Sequence, residues 1–321
     1  MIVDLPSSNL SIVNKKLVEL REKSGVLAQG RVLTLVILTE DGPGVEPAIE
    51  AANTASREHP CRVIVLARGQ ARAAPRLDAQ IRLGGDDAGA SDVIVLRGYG
   101  ALAEPQAGAG MVVPLLLPET PVVAYWPREA PARLAEDPVG MLAERRITDA
   151  LSARNPIRAF EQRRANHVEG DTDLVWTRLT LWRALLATAL DVPPHEPVTA
   201  VMVAGEVVSP STDLMAGWLA ARLDVKVKRS PAKNGEGLVA VRLARRSGPV
   251  ELVRPDGKVG RLRQPGQPDR LVALSRRPVR DCLVEELRRL DPDEIYADAL
   301  GAIGRVSRGR SAVSFGPVAG V

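Results

Sequence analysis

Four short apolar runs in the first half constrain the fold of this chain more than any other feature. They cover residues 32–38, 63–66, 93–96 and 122–126, and glycine, proline or charged residues bound each of them. Continuous apolar runs of this length are typical of strands buried on both faces, as in a parallel sheet covered by helices. Between the first two runs, Val45, Ile49, Ala52 and Ser56 recur at helical spacing. The pattern predicts a βαβ unit within a mostly parallel, Rossmann-like α/β domain.

The last third of the chain has a different pattern. Segments 239–243, 250–254, 259–262 and 271–274 alternate apolar with polar or small residues, and glycine or proline occurs in the connections between them. Alternation of this kind indicates antiparallel strands with one face in water. We therefore expect an antiparallel meander within an α+β C-terminal domain, closed by two helices, of which the first carries Cys282 and Leu283 on an apolar stripe.

These two patterns suggest a division of the chain. We place the α/β domain and a helical connection at residues 1–165, and the α+β domain at 166–300. The connection is expected to contain helices over 141–153 and 158–165. The segment 301–321 is polar and rich in glycine, which favours a disordered tail.

Composition excludes several classes of protein. The net charge is +4, and basic residues are concentrated over 222–289, but that span contains no Phe, Tyr or Trp on which bases could stack. We therefore expect no nucleic-acid partner. The N-terminus lacks a signal-peptide pattern and no apolar run approaches the length of a membrane helix, so we expect a cytoplasmic protein without a membrane partner. The two cysteines, Cys61 and Cys282, predict buried free thiols.

The search for a catalytic site yields no candidate. The segment Gly98–Ala103 fits G-x-G-x-x-A, but Pro105 interrupts the following helix and the next strand ends without an acidic residue, so a plain turn is favoured over a dinucleotide site. The three histidines lie in no recognisable nucleophile motif. We therefore predict no catalytic, cofactor-binding or metal-binding residues.

The segment 174–190 combines two tryptophans with two arginines on a predicted helix. Trp176 and Trp182 share its apolar face, and Arg178 and Arg183 flank that face. Trp and Arg are both enriched at protein interfaces, and guanidinium groups bind carboxylates in a bidentate manner. The alternative is that the tryptophans belong to the core and the arginines pair with carboxylates of this chain. The residue pattern leaves both interpretations open.

Several motifs resemble those of the bacterial glucose-6-phosphate dehydrogenase assembly proteins, the OpcA family. They lie at 56–66, 124–127, 145–149, 170–183 and 285–292, of which the third to fifth read RRITD, GDTDLVWTRLTLWR and EELRRLDP. The run D-L-x-W-x-R-L-x-x-W-R within 170–183 is the most specific. The candidate partner-binding residues are taken from these motifs: His59, Arg62, Trp126, Arg145, Arg146, Asp149, Trp176, Arg178, Trp182 and Arg183.

The resemblance implies a two-domain, non-catalytic partner of glucose-6-phosphate dehydrogenase. Such a protein would act as an allosteric activator at the entry to the oxidative pentose phosphate pathway, within a possible hetero-oligomer. The family provides no catalytic residue and no cofactor to carry over. The alternative is an enzyme of the same pathway that acts on a phosphorylated sugar, for example by lactone hydrolysis, because arginines on an α/β domain can bind phosphate.

Overall fold

The computed structural model describes residues 1–24, 31–84 and 92–315, and the chain forms two compact units. The first unit comprises Met1–Arg154, Asn166–Leu174 and Pro278–Pro292. The second comprises Asn155–Ala165, Val175–Arg277 and the described residues from Asp293 on. This division differs from the expected boundary at residue 165. Asn155–Ala165 belongs to the second unit, whereas Asn166–Leu174 and Pro278–Pro292 belong to the first.

The first unit is built on an eight-stranded, mostly parallel sheet, in agreement with the predicted α/β class. Its spatial order is β1-β4-β5-β3-β2-β6-β7-β8, and among the described strands of this sheet only the pairs β1–β4 and β4–β5 are antiparallel. The strands are β1 Ile2–Ser8, β2 Leu33–Glu40, β3 Cys61–Arg68, β4 Arg76–Leu83, β5 Asp92–Tyr99, β6 Val122–Trp126, β7 Arg145–Thr148 and β8 Asp171–Asp173. From β5 to β8 this is the strand order of the dinucleotide-binding doubly wound fold, in which the chain reverses direction across the sheet between β2 and β6.

Helices cover both faces of this sheet, because alternate residues of each buried strand point to opposite sides. The helices are α1 Leu10–Ser24, α2 Val45–Glu58, α3 Pro105–Val112 and α8 Val279–Glu286. The expectation that Pro105 interrupts a helix is wrong, because α3 begins at this proline, and proline is tolerated in the first turn of a helix. Leu35 and Ile37 of β2 face the cluster that includes α2 and α8, whereas Val36 faces the cluster of α1 and α3. Helix α8 therefore packs in the first unit and does not close the second, since Cys282 and Leu283 join the core beside α2.

The expected helix over 141–153 is wrong. Strand β7 occupies Arg145–Thr148, between short 3-10 turns at Gly140–Leu142 and Ala150–Ser152. All four residues of β7 are buried between β6 and β8, including two arginines. Buried arginines obscure the apolar pattern by which a strand is normally identified, and this explains the error. The predicted helix at 158–165 is confirmed as α4, Pro156–Asn166.

The second unit contains a seven-stranded mixed sheet with the order β14-β13-β12-β11-β9-β10-β15. Its elements are α5 Leu174–Arg178, α6 Thr180–Leu190, β9 Ala200–Gly205, α7 Pro210–Leu223, β10 Val227–Pro231, β11 Leu238–Ala244, β12 Val250–Val253, β13 Val259–Arg263, β14 Arg270–Ala273, α9 Glu294–Ala302 and β15 Ser307–Arg308. The predicted meander is confirmed in β11 to β14, which are antiparallel neighbours.

The described part of the tail is ordered, in contrast to the expected disorder from residue 301. Strand β15 pairs with β10, Val313 forms a bridge with Ala232, and Phe315 packs on a small core cluster of the second unit. One aromatic side chain and a few backbone hydrogen bonds thus hold a segment whose composition favours disorder. Residues 316–321 of the predicted tail lie outside the described residues.

Candidate functional site

A crevice of about 570 Å³ lies in the first unit, over the carboxyl ends of the parallel strands. Leu38 of β2, Leu66 of β3, Leu96 of β5 and Trp126 of β6 contribute to its lining. In doubly wound sheets, ligands bind at this end, where the strand order reverses. The volume is within the range of about 300–1,000 Å³ that is usual for ligand-binding pockets. We call this cavity the crevice below.

The wall of the crevice is the segment from Glu129 to Pro138, which follows β6. The carboxylate of Asp137 fixes the end of this wall, because its Oδ1 accepts hydrogen bonds from the backbone N–H groups of Val139 and Gly140 at 2.9 and 3.1 Å. Gly140 is required there, since a Cβ atom would lie 1.9 Å from the carbonyl oxygen of Leu134. The wall is therefore a shaped loop that its own hydrogen bonds hold in place.

A smaller recess of about 150 Å³, between β2 and α2, shares Leu38, Arg68 and Glu129 with the crevice. A dinucleotide fold places the pyrophosphate at this position. Here the turn carries Glu40 and Asp41, and Glu46 follows in the first turn of α2. The recess itself is also lined by Arg68, Arg128 and Arg154, so its lining mixes carboxylates with guanidinium groups, and Glu46 lies outside that lining.

The carboxylates beside α2 are held by arginines of neighbouring strands. Glu46 accepts two hydrogen bonds from the guanidinium of Arg82, at 2.6 and 2.8 Å, and this pairing lowers the pKa of Glu46. Asp41 accepts from Arg97 at 3.2 Å and from the hydroxyl of Tyr99 at 2.9 Å, and the bond to Asp41 raises the pKa of Tyr99. Neighbouring side chains thus fix both carboxylates in place.

The glycines of the G-x-G-x-x-A segment have a structural explanation. A Cβ atom on Gly98 would lie 2.4 Å from the carbonyl oxygen of Leu102, and one on Gly100 would lie 2.6 Å from that of Ala73. Gly100 also has φ +60°, a left-handed conformation that favours glycine. The backbone geometry of the turn after β5 therefore accounts for both glycines.

Arg62, a partner-binding candidate, lies at the opposite, amino-terminal end of the sheet. It is buried at the start of β3, and Arg21, Arg31 and Arg62 all pair with the single buried carboxylate of Asp92. Burial, together with repulsion from Arg21, lowers the pKa of Arg62 to about 10. Asp92 thus neutralises part of a concentrated positive charge inside the protein.

Arg145, Arg146 and Asp149 are buried around β7. Arg145 donates to Glu286 and to the carbonyl oxygen of Asp291, both at 2.9 Å. Arg146 donates to Asp171 at 2.5 Å, and Asp149 accepts from the hydroxyl of Ser152 at 2.7 Å. These candidates all make contacts within the first unit.

His167 lies close to this group, and burial lowers its pKa below the ordinary value of 6.5, although the neighbouring Asp171 acts in the opposite direction. His59, another candidate, is half-buried directly after α2, where its backbone N–H donates to Ala55. Trp126 is the one candidate that lines the crevice, and its side chain is almost fully buried in the floor.

The remaining candidates lie in the second unit, where Trp176 and Trp182 are buried core residues. The indole N–H of Trp176 donates to Asp293 at 2.7 Å, and the guanidinium carbon of Arg183 lies 3.5 Å from the centre of its ring. Arg183 also donates to the hydroxyl of Thr180. Arg178 and Arg183 remain half-buried, so each keeps part of its surface in contact with solvent.

The predicted helix over 174–190 is interrupted at Leu179, which separates α5 from α6. The apolar face is nevertheless confirmed, because Leu179 and Ala189 are buried together with both tryptophans.

Sequence reasoning missed most of the crevice. Leu38, Met111 and Glu104 carry no motif, and the wall consists mainly of alanine, proline and charged residues. A signal was nevertheless present, since Leu38, Leu66, Leu96 and Trp126 stand at or near the ends of the predicted parallel runs. The carboxyl ends of such runs are where ligand sites form.

Within residues 1–24, 31–84 and 92–315, no group of three or more His, Cys, Asp or Glu side chains is placed to hold a metal ion. The helices of the same part of the chain include none that is long and apolar enough to cross a membrane. Cys61 and Cys282 are both buried free thiols, as predicted.

Two family models match the chain over most of its length. The model for the N-terminal domain of a glucose-6-phosphate dehydrogenase subunit matches residues 52–165, and the model for the C-terminal domain matches 169–300. The chain belongs to the OpcA family of glucose-6-phosphate dehydrogenase assembly proteins. The crevice and the buried Arg62 lie mainly within the N-terminal family domain, and the Trp176–Arg183 pair lies within the C-terminal one.

Other comparisons add little to this assignment. No curated protein sequence matches the chain. A solved structure described as trehalose-6-phosphate from E. coli bound with UDP-2-fluoro glucose is similar over 62% of this chain and 64% of that chain, with 8% identity and a TM-score of 0.24. A structure described as OtsA apo is similar over 63% and 65%, with 7% identity and the same TM-score. The chain thus covers less than two thirds of either structure, and the likeness is too low to assign a fold or a ligand.

Proposed function

We propose that this protein is a non-catalytic assembly factor that binds glucose-6-phosphate dehydrogenase in the cytoplasm and promotes its active oligomer. The match of both family domains, over 52–165 and 169–300, supports the proposal. The protein acts as an allosteric activator at the entry to the oxidative pentose phosphate pathway. To activate, it must bind the active form of the dehydrogenase more tightly than the inactive form, since a ligand shifts an equilibrium only by its difference in affinity.

The experiment combines activity with molecular mass. The purified chain is titrated into the dehydrogenase from the same source, while glucose 6-phosphate oxidation is followed and the mass of the species is measured by light scattering. We expect a saturable rise in activity, a plateau at a fixed ratio of the two proteins, and a larger heteromeric species. The chain alone should not reduce a nicotinamide cofactor.

The alternative, an enzyme that acts on a phosphorylated sugar, predicts a different outcome. Stimulation without any complex, together with consumption of the lactone product by the chain alone, would favour that alternative. The absence of both stimulation and complex at micromolar concentrations would reject the proposed function.

The half-buried arginines of the second unit allow a test of where the partner binds. We expect the Arg178→Ala/Arg183→Ala variant to weaken binding to the dehydrogenase about tenfold while it stays folded. Loss of the contact between Arg183 and the ring of Trp176 should cost only about 1–2 kcal/mol of stability.

The matched control for this variant is Arg242→Ala/Arg263→Ala, which removes two half-exposed arginines of the same unit that lie near Glu251. If both double variants bind like the wild type, Arg178 and Arg183 serve the fold and the interface lies elsewhere.

A further inference from the structure

The floor of the crevice is apolar and deep. Leu38, Leu66, Leu96 and Met111 lie around Trp126, which is 2% exposed. Most of each of these side chains is already buried, and the apolar patch that still faces the crevice is stabilised when a partner removes it from water. Methionine adapts its shape to different apolar ligands, which suits Met111 to a binding surface.

The rim of the crevice is acidic. It is lined by four carboxylates, those of Glu104, Glu129, Glu136 and Asp137. Only two guanidinium groups, those of Arg68 and Arg133, line the same crevice. Both guanidinium groups already pair with carboxylates, Arg68 with Glu40 at 2.9 Å and Arg133 with Glu136 at 2.9 Å. The rim therefore carries an excess of negative charge, which repels an anionic ligand and attracts a cationic one.

Contacts within the first unit hold the wall of the crevice in place. The hydrogen bonds from Val139 and Gly140 to Asp137 fix one end of the wall, and the backbone N–H of Arg154 donates to Glu129 at the other, at 2.8 Å. Pro131 and Pro138 further restrict the chain between these points. A wall that is fixed in advance loses little conformational entropy when it binds.

We propose that the crevice docks a segment of the partner dehydrogenase in which a large apolar side chain is flanked by Lys or Arg. The apolar side chain fills the space above Trp126. The flanking cations lie against Glu104 and against the exposed carboxylate of Glu136, which they share with Arg133. A phosphorylated small molecule fits the crevice poorly because four carboxylates and only two guanidinium groups line its rim. This docking role rests on the proposed function, since it names one surface by which the protein binds the dehydrogenase, besides the arginines tested above.

The test reverses the charge of the rim. Glu104 and Glu136 are exposed, so the Glu104→Lys/Glu136→Lys variant should fold normally. We expect it to raise the Kd for the dehydrogenase about tenfold or more at low salt. Salt should weaken wild-type binding and have less effect on the variant, because the attraction between rim and partner is screened.

The matched control is Glu22→Lys/Glu50→Lys, which makes the same change in net charge at exposed positions of helices α1 and α2. It should bind within about twofold of the wild type, as distant surface changes usually do. A second variant, Ala132→Trp, adds bulk at an exposed position that lines the crevice and should weaken binding without a change of charge.

The outcomes separate this proposal from the proposed function. If the wild type forms no complex with the dehydrogenase, the proposed function fails. If the wild type binds and both crevice variants bind within about twofold of it, the docking site is wrong while the proposed function stands. Calorimetric binding of glucose 6-phosphate or a nicotinamide nucleotide to the chain alone, lost in Ala132→Trp, would overturn the docking role, as would self-association lost in the crevice variants.

Discussion

The two ends of the eight-stranded sheet differ in how they use charge. At the amino ends of the parallel strands, Arg62, Asp92 and Arg145 are buried and paired within the first unit. At the carboxyl ends, an open crevice has an apolar floor, and the charges on its rim are exposed. Buried charges require partners inside the protein, whereas exposed charges are hydrated and remain available to another molecule.

This difference shows that residues conspicuous in the sequence can be committed to contacts inside the protein. Four of the motif residues, His59, Arg62, Arg145 and Arg146, lie at or next to the amino ends of strands. They stand out in the sequence because charge is unusual beside apolar runs, and the structure uses three of them in internal ion pairs. The crevice, in contrast, is lined by ordinary alanine, leucine and glutamate residues.

The largest expected effect comes from breaking the buried pair of Arg145 and Glu286, whose side chains are 4% and 6% exposed. Arg145→Met should lower the free energy of unfolding by about 3–5 kcal/mol, because it leaves a carboxylate buried without its cation. Urea unfolding followed by circular dichroism measures this change.

The control is the double variant Arg145→Met/Glu286→Leu, which removes both charges. It should recover most of the lost stability, since apolar replacements of a buried pair are often neutral. If Arg145→Met alone is as stable as the wild type, the stability of the amino-terminal end of the sheet does not depend on paired charges.

A smaller effect is expected from His167, beside Asp171 at the amino-terminal end. The unfolded chain takes up this proton near pH 6.5, whereas burial lowers the pKa of the folded state below that value. The free energy of unfolding should therefore fall as the pH drops below about 6.5, and the fall should end below the folded pKa. Unfolding of the wild type and of His167→Gln across this range tests the prediction, and equal pH dependence in both would contradict it.

The smallest effect is expected at the carboxyl ends, from the exposed pair of Arg68 and Glu40, whose side chains are 37% and 63% exposed. Arg68→Met should change the free energy of unfolding by only about 0–1 kcal/mol, because both charges are hydrated and screened by salt. If Arg68→Met lowers the free energy of unfolding as much as Arg145→Met does, the two ends of the sheet do not differ in how much their charge pairs contribute to stability. Thermal unfolding of the two variants side by side makes the comparison direct.

Much of the architecture could be predicted from the sequence. The apolar runs at 32–38 and 63–66 predicted buried parallel strands, and the alternation from 239 onward predicted the meander, because both patterns are local to the sequence. Strand β7 was not predictable, since its first two residues are arginines whose burial depends on Glu286 and Asp171 from distant parts of the chain. Of the candidate site, only Trp126 was identified in advance.

The sequence by itself determined the family, the two kinds of sheet and the apolar faces of the helices. These properties depend on motifs and on local periodicity, which neighbouring residues encode. Only the tertiary structure decided which charges are buried and paired, where α8 packs, and where the open crevice lies. Each of these depends on residues far apart in the chain, such as Arg145 with Glu286 or Leu38 with Trp126, and their proximity follows from the order of the strands in the sheet.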